Sequence, residues 1–290
     1  MTAAQDQPDG SHENTYVVDA ESAAEMARLM RQDRLLTKGM GGIFPEKIEL
    51  SEVGRILDLA CGPGGWVLET AFAYTDIDVV GVDISERMIT YANAQARIQQ
   101  LPNAVFQVMN ILQPLDFPDN TFDLINARLI SGFMHPARWP GLMRECLRIL
   151  RPGGILRFTE FEPGFTNKAF FEKVGAMLIQ AMSRAGYTFS PDGLHFNSIL
   201  MLPSFFREAG LQKIGQMAHV IEFSAGTEAR DSFYYDLTTG LLLVEPLIEK
   251  TGIATLEEWR KIYKKGLAEM FDDDFRAIWV LLTVWGEKPV

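Results

Sequence analysis

Two acidic residues and a glycine-rich turn are the residues best suited to chemistry in this sequence. The segment from Asp58 to Gly65 reads Asp-Leu-Ala-Cys-Gly-Pro-Gly-Gly and follows a short apolar run. Glycine in such a turn lets the backbone approach a ligand closely and adopt positive φ. Asp83 ends the next apolar run, 21 residues after Gly62, where a carboxylate can accept hydrogen bonds from both hydroxyls of a ribose. The spacing therefore indicates a nucleoside-binding site.

A nucleoside in this position belongs to one of two cofactors, a dinucleotide or S-adenosylmethionine. The dinucleotide fingerprint G-x-G-x-x-G is incomplete, because Val67 stands where its third glycine is required. Asp58 lies four residues before Gly62, and its negative charge would repel a pyrophosphate but attract an ammonium or sulfonium group. The chemistry of the turn therefore favours S-adenosylmethionine.

The elements around the turn alternate between strands and helices. Short apolar runs predict the strands, and apolar residues at helical spacing predict helices between them. The predicted strands are 55–65, which runs into the glycine turn, 78–85, 104–110, 122–128 and 155–162, and the predicted helices are 66–74, 86–100 and 138–150. Ser85 is suited to cap the second of these helices. The alternation predicts a parallel sheet with helices on both of its faces.

The regular alternation of strands and helices ends on either side of this region. Residues 20–37 predict a helix that Asp19 caps. Further helices are predicted at 167–185, 202–211 and 230–271, the last broken at Gly252, and further strands at 212–223 and 277–288. The expected fold class is therefore α/β: a Rossmann-like, seven-stranded, mostly parallel sheet with helices on both faces and helical cap insertions.

Four segments follow from this interpretation. Residues 1–14 are polar and predict a disordered tail. Residues 15–50 would form an N-terminal helical cap, and residues 51–163 the cofactor-binding core. Residues 164–290 would hold the remaining strands together with helical insertions that cap the substrate.

Composition and charge narrow the classes of partner. The chain of 290 residues is 47% hydrophobic and carries a net charge of −11, which suits a globular protein and disfavours nucleic acids and anionic membranes as partners. No apolar stretch approaches the length of a membrane span, and the polar N-terminus predicts no signal peptide. Two cysteines, Cys61 and Cys146, are too few for a disulfide framework, so we expect a reduced, cytoplasmic setting.

Five segments, in order, resemble the motifs of the class I S-adenosylmethionine-dependent methyltransferases, of the small-molecule, ubiquinone-biosynthesis type. They are Asp58–Gly64, Val80–Ser85, Asn110–Ile111, Pro114–Asp123 and Leu150–Leu156. The N-terminal stretch Thr15–Val18, followed by Arg28-Leu29-x-x-Gln32, also resembles a cap found in some bacterial and fungal small-molecule methyltransferases. Tyr16 in that cap would close over the sulfonium, because a positive charge suits an aromatic face.

The resemblance implies S-adenosylmethionine as the cofactor and a role for each residue that contacts it. Asp58 would orient the ammonium, and Gly62 and Gly64 would line the methionine and ribose. Asp83 would take the ribose hydroxyls, and the amide oxygen of Asn110 would accept from the adenine amino group. The full set of implied contacts is Tyr16, Asp58, Ala60, Gly62, Gly64, Asp83, Ile84, Met88, Asn110, Ile111, Asn126, Ala127 and Arg128, the last three through backbone carbonyls.

Methyl transfer is an in-line displacement at an activated methyl group, so the protein mainly supplies orientation and excludes water. A general base is needed only if the acceptor arrives protonated. His135, after the fourth strand, and His195, in the cap, are the candidates, because imidazole titrates near neutral pH; a surface role is the alternative for each. Glu160 and Glu162 would either touch the acceptor or cap loops.

No metal is required, and Asp272–Asp274 is more typical of a solvated turn.

The leading hypothesis is an enzyme that methylates O, N or C of a small, apolar or aromatic metabolite. The cap is rich in Phe and Met, which favours an apolar acceptor pocket, although ordinary helix packing accounts for most of these side chains. Two alternatives stay open: a methyltransferase that acts on protein or RNA, and a regulatory protein that binds S-adenosylmethionine without turnover. The sequence leaves the acceptor and the oligomeric state undetermined.

Overall fold

The structure of this chain, a computed structural model, describes residue 19 and residues 21–290. The predicted tail at 1–14 and Tyr16 lie outside the described residues. Within the described part, seven strands form one sheet. Their bounds are Arg55–Leu59 (β1), Asp78–Asp83 (β2), Ala104–Val108 (β3), Phe122–Arg128 (β4), Leu150–Thr166 (β5), Gln212–Glu222 (β6) and Ala277–Glu287 (β7).

The sheet has the order β3-β2-β1-β4-β5-β7-β6. Strands β1 to β5 pair in parallel, and β7 runs antiparallel to its neighbours β5 and β6. The predicted Rossmann-like, seven-stranded, mostly parallel sheet is confirmed. Strand order reverses at β1, because the chain first adds β2 and β3 on one side and then β4 and β5 on the other. Ligands of such sheets bind at this switch point, beyond the carboxyl ends of the strands.

Nine helices of the described residues accompany the sheet. Their bounds are Ala23–Met40 (α1), Gly65–Ala73 (α2), Glu86–Ile98 (α3), Trp139–Ile149 (α4), Ala169–Arg184 (α5), Ser198–Glu208 (α6), Ala229–Leu243 (α7), Glu245–Thr251 (α8) and Leu256–Glu269 (α9). Helices α2, α3 and α4 connect parallel strands, which need crossover connections. Helices α5 and α6 are inserted between β5 and β6, and α7 to α9 between β6 and β7.

Three local predictions differ from the structure. The N-cap of α1 is Ser22 and not Asp19, because the Ser22 side chain accepts from the third N–H of the helix. The helical segment predicted for 230–271 has the predicted break at Gly252, which lies in the left-handed region and ends α8. It has a second, unpredicted break at Val244, after which Pro246 lies in the first turn of α8. The fifth strand extends to Thr166, because it continues to pair with β7.

Apolar side chains cover both faces of the sheet. One buried cluster, which includes Trp139 and Phe158, packs the sheet against α4 and α6. A second, which includes Trp66 and Ile89, lies under α2 and α3. A third, which includes Trp259, joins α1 to the inserted helices. Burial of this apolar surface fixes the insertions to the sheet, so that they stay in place beside the carboxyl ends of the strands.

Candidate functional site

A large cavity opens at the carboxyl ends of the parallel strands. Its volume is about 620 Å³, which is typical of a small-molecule site. Asp58, Gly62 and Asp83 form part of its wall at the strand ends, and α1, α5 and α7 supply residues to the opposite wall. The cavity therefore joins the glycine-rich turn to the inserted helices.

The glycine-rich turn and Asp83 hold each other in place. The backbone N–H of Gly62 donates to one carboxylate oxygen of Asp83 at 2.9 Å, and that of Ser85 donates to the other at 2.9 Å. Ala60 and Gly62 have φ of 52° and 53°, so the chain bends sharply after β1. Burial raises the pKa of Asp83, and the two N–H donors oppose that rise by stabilising the carboxylate. A carboxylate has about four acceptor positions, so lone pairs remain for a ribose.

Gly64 has a packing role and does not line the cavity. Its φ is +81°, and a Cβ at this position would lie 2.5 Å from Phe106 and 2.9 Å from Ala92. Any side chain would therefore push β3 and α3 away from the start of α2. Gly64 thus allows close packing behind the turn. It does not line the cavity wall, although the sequence predicts that it contacts the cofactor.

A row of polar side chains crosses three neighbouring strands. Asp58 is in register with Asn126, and Asn126 with Arg157. The Asn126 amide nitrogen donates to Asp58 Oδ1 at 2.7 Å, and Arg157 Nη1 donates to Asn126 Oδ1 at 2.6 Å. Arg157 is fully buried, and its guanidinium also forms a buried ion pair with Glu46. The row therefore fixes the orientation of the amide between Asp58 and Arg157.

Asp58 titrates close to neutral pH. Burial raises its pKa to about 7, although the hydrogen bond from Asn126 and the charge of Arg157 act in the opposite direction. A cation bound beside this carboxyl would favour its ionised form. Asp58 is therefore a group whose charge responds to what the cavity holds.

The wall beside Asp83 is mostly apolar. Ile84, Met88 and Ile111 line it together with Asn110. Asn110 Oδ1 already accepts the backbone N–H of Leu112 at 2.9 Å, which leaves this oxygen one further lone pair. The wall suits a flat, weakly polar ring. The amide oxygen of Asn110, which the sequence predicts to accept from the adenine, already accepts one hydrogen bond from its own loop.

Of the three β4 residues predicted to contact the cofactor, Arg128 lines the cavity. Asn126 and Ala127 do not line it, and the Asn126 amide is committed to Asp58 and Arg157. The Arg128 side chain donates to Asp33 on α1, and to Thr37 Oγ1 at 3.1 Å. Helix α1 is thereby fixed to the end of β4, against the glycine-rich turn.

Helix α1 continues along the cavity. Arg28, Leu29 and Gln32, the residues of the N-terminal motif, all line it. Arg28 forms ion pairs with Glu25 at 2.6 Å and with Asp236 of α7 at 2.9 Å. Charged side chains therefore connect α1 and α7 across an otherwise apolar part of the wall.

The far part of the cavity is aromatic and aliphatic. Phe161 and Trp279, from β5 and β7, pack edge to face with ring centroids 5.6 Å apart. Gly175 on α5 lies on the same helix face as Phe171 and Leu178, and a Cβ added to it would meet no atom within 4 Å. This part of the cavity has room for an apolar molecule beside the strand ends.

His195 is the candidate histidine that the structure places at the cavity. Its side chain is 63% exposed, and Nδ1 lies 4.0 Å from Glu162 Oε1. Glu162 also lines the cavity, and it accepts the backbone N–H groups of Phe196 and Asn197 at 2.6 and 2.8 Å. Burial raises the pKa of Glu162. A histidine and a positioned carboxylate thus stand together at the rim.

His135 and Glu160 do not line the cavity. His135 is half-buried, its Nδ1 lies 3.0 Å from the carbonyl oxygen of Gly186, and its ring stacks on Tyr187. Glu160 accepts the backbone N–H of Ile130 at 2.8 Å, and burial raises its pKa to about 7. It caps the turn after β4, which is the structural role that the sequence left open for it.

Four residues at or behind the cavity wall were not predicted from the sequence: Glu46, Arg157, Gly175 and Asp236. Arg157 and Asp236 carry a recognisable signal, because each is a charged residue within an apolar strand or helix pattern. Glu46 lies in a loop, and Gly175 reads as an ordinary helix residue. Only the packed structure gives these two a function.

The described residues contain neither a cluster of metal ligands nor a helix that could span a membrane. Nowhere in 21–290 do three or more His, Cys, Asp or Glu side chains cluster as metal ligands would. Asp272 and Asp274 instead form ion pairs with Lys168. No helix of the described chain has the length and apolarity needed to cross a bilayer. Cys61 and Cys146 are free thiols.

Known proteins match the part of the chain that holds the glycine-rich turn and Asp83. Residues 56–154 match a family model described as a methyltransferase domain. "Probable methyltransferase ltbC" of Aspergillus luteorubrus is 30% identical over 178 residues, 59% of this chain and 61% of that protein. 27-O-demethylrifamycin SV methyltransferase of Amycolatopsis mediterranei (strain S699) is 34% identical over 138 residues, 47% of this chain and 48% of that protein. The chain thus spans less than two thirds of these relatives.

A solved structure extends the likeness to nearly the whole fold. Phosphoethanolamine N-methyltransferase 2 of Haemonchus contortus, in complex with phosphomonomethylethanolamine and S-adenosylhomocysteine, has a TM-score of 0.55 and 16% identity. The match covers 96% of this chain and 60% of that one. At this identity the likeness concerns the fold alone.

Proposed function

We propose that this chain, whose residues 56–154 form a class I S-adenosylmethionine-dependent methyltransferase domain, transfers a methyl group from S-adenosylmethionine to O, N or C of a small apolar or aromatic molecule. One observation carries the proposal: a single cavity runs from Asp58, Gly62 and Asp83 to the apolar face of the inserted helices. A methyl donor and its acceptor would share that cavity, as in-line transfer requires.

The residues at the strand ends fit the cofactor. Asp58 is a buried carboxyl that a cationic ammonium would stabilise, and Asp83 retains acceptor positions for the ribose hydroxyls. Ile84 and Met88 offer an apolar surface to the adenine. When bound, S-adenosylmethionine supplies a methyl group already activated by the sulfonium charge.

The chain itself supplies position and a dry site. Asn126 holds Asp58, and backbone N–H groups hold Asp83, so both carboxylates are fixed before a ligand arrives. Arg128 and Asp33 fix α1 against the glycine-rich turn. With α1 in this position, the access of water to the reacting atoms would be restricted.

The apolar part of the cavity supports a small acceptor. Its walls come from the inserted helices and from Phe161 and Trp279, and its volume of about 620 Å³ is typical of a small-molecule site. The net charge of −11 disfavours RNA as the acceptor. The free thiols at Cys61 and Cys146 accord with a reduced, cytoplasmic setting.

His195 is the proposed general base for an acceptor that arrives protonated. It lies on the cavity wall, where its imidazole could take a proton from the acceptor, and its Nδ1 lies 4.0 Å from the Glu162 carboxylate. An acceptor that arrives as a free amine or an anion would need no base. Orientation alone would then drive the transfer.

The proposal is tested by binding and turnover measured together. Calorimetry should detect binding of S-adenosylhomocysteine to the purified chain, and incubation of S-adenosylmethionine with a panel of phenols, amines and carbon acids should release S-adenosylhomocysteine. Binding without turnover on any acceptor would favour the regulatory alternative. Binding of nicotinamide or flavin compounds in place of S-adenosylhomocysteine would overturn the proposal.

A further inference from the structure

Asp236 is the feature of the cavity that the methyl-donor site does not explain. Its helix α7 presents one face to the cavity, at the spacing of successive helical turns. That face consists of Phe233, Asp236, Leu237, Gly240, Leu241 and Val244. Asp236 is the one ionisable side chain in this set, and it is 8% exposed. A buried carboxylate on an apolar wall is costly unless its oxygens are satisfied.

The two oxygens of Asp236 differ in their partners. Oδ1 accepts from Arg28 Nη1 at 2.9 Å and from Gln32 Nε2 at 3.3 Å. Among the residues that the structure describes, Oδ2 has only the second contact of Gln32, at 3.4 Å, which is near the limit of a hydrogen bond. The Nε and Nη2 groups of Arg28 donate to Glu25 at 2.7 and 2.6 Å. Oδ2 can therefore accept a further hydrogen bond, and it is buried, where an unsatisfied acceptor destabilises the folded state.

We infer that Asp236 is the polar anchor of the methyl acceptor, and that it selects acceptors carrying a hydrogen-bond donor, a hydroxyl or an amine, on an apolar body. The inference rests on the proposed function, because it places the acceptor in the far part of the same cavity. Sites of this kind are mostly apolar, and a few polar groups set the orientation and specificity. The anchor is an anionic oxygen, so an acceptor carrying a carboxylate or a phosphate at this point is repelled.

The anchor also explains why an ion pair between Arg28 and Asp236 joins α1 to α7. Arg28 lies between the carboxylates of Glu25 and Asp236, and one guanidinium thus faces two acids. It holds Asp236 by one oxygen and leaves the other toward the incoming donor. The substitution Asp236→Asn makes this arrangement testable. Arg28 needs an acceptor, so the amide oxygen takes the place of Oδ1 and the amide NH2 replaces Oδ2, which turns the acceptor into a donor without a change of shape.

The experiment uses three biphenyl probes with the full chain saturated with S-adenosylhomocysteine. 4-Phenylphenol carries a donor, 4-methylbiphenyl carries neither donor nor acceptor, and 4-acetylbiphenyl carries an acceptor alone. Tryptophan fluorescence measures binding, since Trp279 lines the cavity. We expect the unaltered chain to bind 4-phenylphenol about 10-fold or more tightly than 4-methylbiphenyl. In D236N that ratio should fall below about 3-fold, and binding of 4-acetylbiphenyl should strengthen.

A second variant and a control protect the test from folding effects. Asp236→Leu removes both oxygens and should also abolish the preference for the hydroxyl. Asp231→Leu changes an exposed acid of the same helix outside the cavity wall and should leave the preference intact. An unaltered chain that binds the phenol and methyl probes equally, or binds neither, overturns the inference, as does an unchanged ratio in D236N. Binding of S-adenosylhomocysteine alone is scored separately, so a failed anchor is distinguishable from a failed cofactor site.

Discussion

Arg157 donates a hydrogen bond of 2.6 Å to the amide oxygen of Asn126, and this bond decides which way the Asn126 amide faces. With its oxygen committed to Arg157, the amide can only donate on its other side, and there it donates to Asp58 Oδ1 at 2.7 Å. The carboxylate proposed to meet the cofactor ammonium is thus positioned from two strands away. Arg157 does not line the cavity, so we assign it a positioning role.

That role can be separated from stability by removing the buried ion pair in two stages. Arg157→Met alone leaves Glu46 buried without its partner, which should cost about 3–5 kcal/mol of unfolding free energy. The double variant E46M/R157M removes both charges, so we expect it to recover most of that stability. It should still bind S-adenosylhomocysteine about 10-fold more weakly, because nothing fixes the Asn126 amide. Urea denaturation and calorimetry measure the two effects.

A second ion pair on the same sheet serves as the control. Lys213 and Glu287 pair at 2.7 Å near the surface, where such pairs contribute about 0–1 kcal/mol. The variant K213M/E287M should therefore change neither stability nor binding appreciably. If E46M/R157M were to bind S-adenosylhomocysteine as tightly as the unaltered chain, the polar row would be structural and the positioning role would be refuted.

The pKa of Asp58 gives the cofactor site a pH dependence. Burial raises that pKa to about 7, so the carboxyl loses its charge as pH falls through 7, and with it the attraction for the ammonium. We expect the affinity for S-adenosylhomocysteine to fall about 10-fold between pH 8 and pH 6. Asp58→Asn should bind weakly and lose this dependence. A titration series by calorimetry over this range checks both, and identical pH profiles in the two proteins would count against the assignment.

The same group sets a stability change of predictable sign. Its pKa is higher in the folded chain than the ordinary 3.8, so the folded state binds the proton more tightly and Asp58 makes folding less favourable as pH rises from about 4 to 7. Above 7 that contribution is constant. We therefore compare the melting temperature of D58N with that of the unaltered chain at each pH. The difference, D58N minus unaltered, should be larger at pH 8 than at pH 5.

Gly175 offers a way to fill the acceptor end alone. A leucine at this position has open space and also improves helix propensity by about 0.5–1 kcal/mol. We expect G175L to melt no lower than the unaltered chain, to bind S-adenosylhomocysteine within about 3-fold of it, and to lose turnover. Gly141 on α4 is exposed and away from the cavity, so G141L is the matched control. Full turnover by G175L would place the acceptor elsewhere.

His195 and His135 provide a matched pair for the base. His195→Asn should lower kcat about 100-fold for a phenolic or alcoholic acceptor. His135→Asn should leave kcat unchanged, because that ring stacks on Tyr187 away from the cavity wall. Equal rates for H195N and the unaltered chain across the pH range would show that transfer needs no base from this position.

The alternating strands and helices and the cofactor turn follow from local patterns in the sequence. Asp58 and Asp83 end apolar runs, and Pro and Gly interrupt helices, so short-range rules located them. The partners of these residues could not be found in this way. Asn126 and Arg157 meet Asp58 only through strand register, and Arg28 meets Asp236 only because α1 and α7 pack together. His135 was a candidate by chain position, but the path of the loop turns it toward Gly186.

The most direct measurement is a calorimetric titration of S-adenosylhomocysteine into the unaltered chain, D83A and D76A. Asp83 is held by the glycine-rich turn at the cavity wall, whereas Asp76 is exposed elsewhere on the surface. We expect one site per chain in the unaltered protein and in D76A, and at least about 10-fold weaker binding in D83A. Equal affinity in D83A, or heat with nicotinamide dinucleotides and none with S-adenosylhomocysteine, would contradict the account.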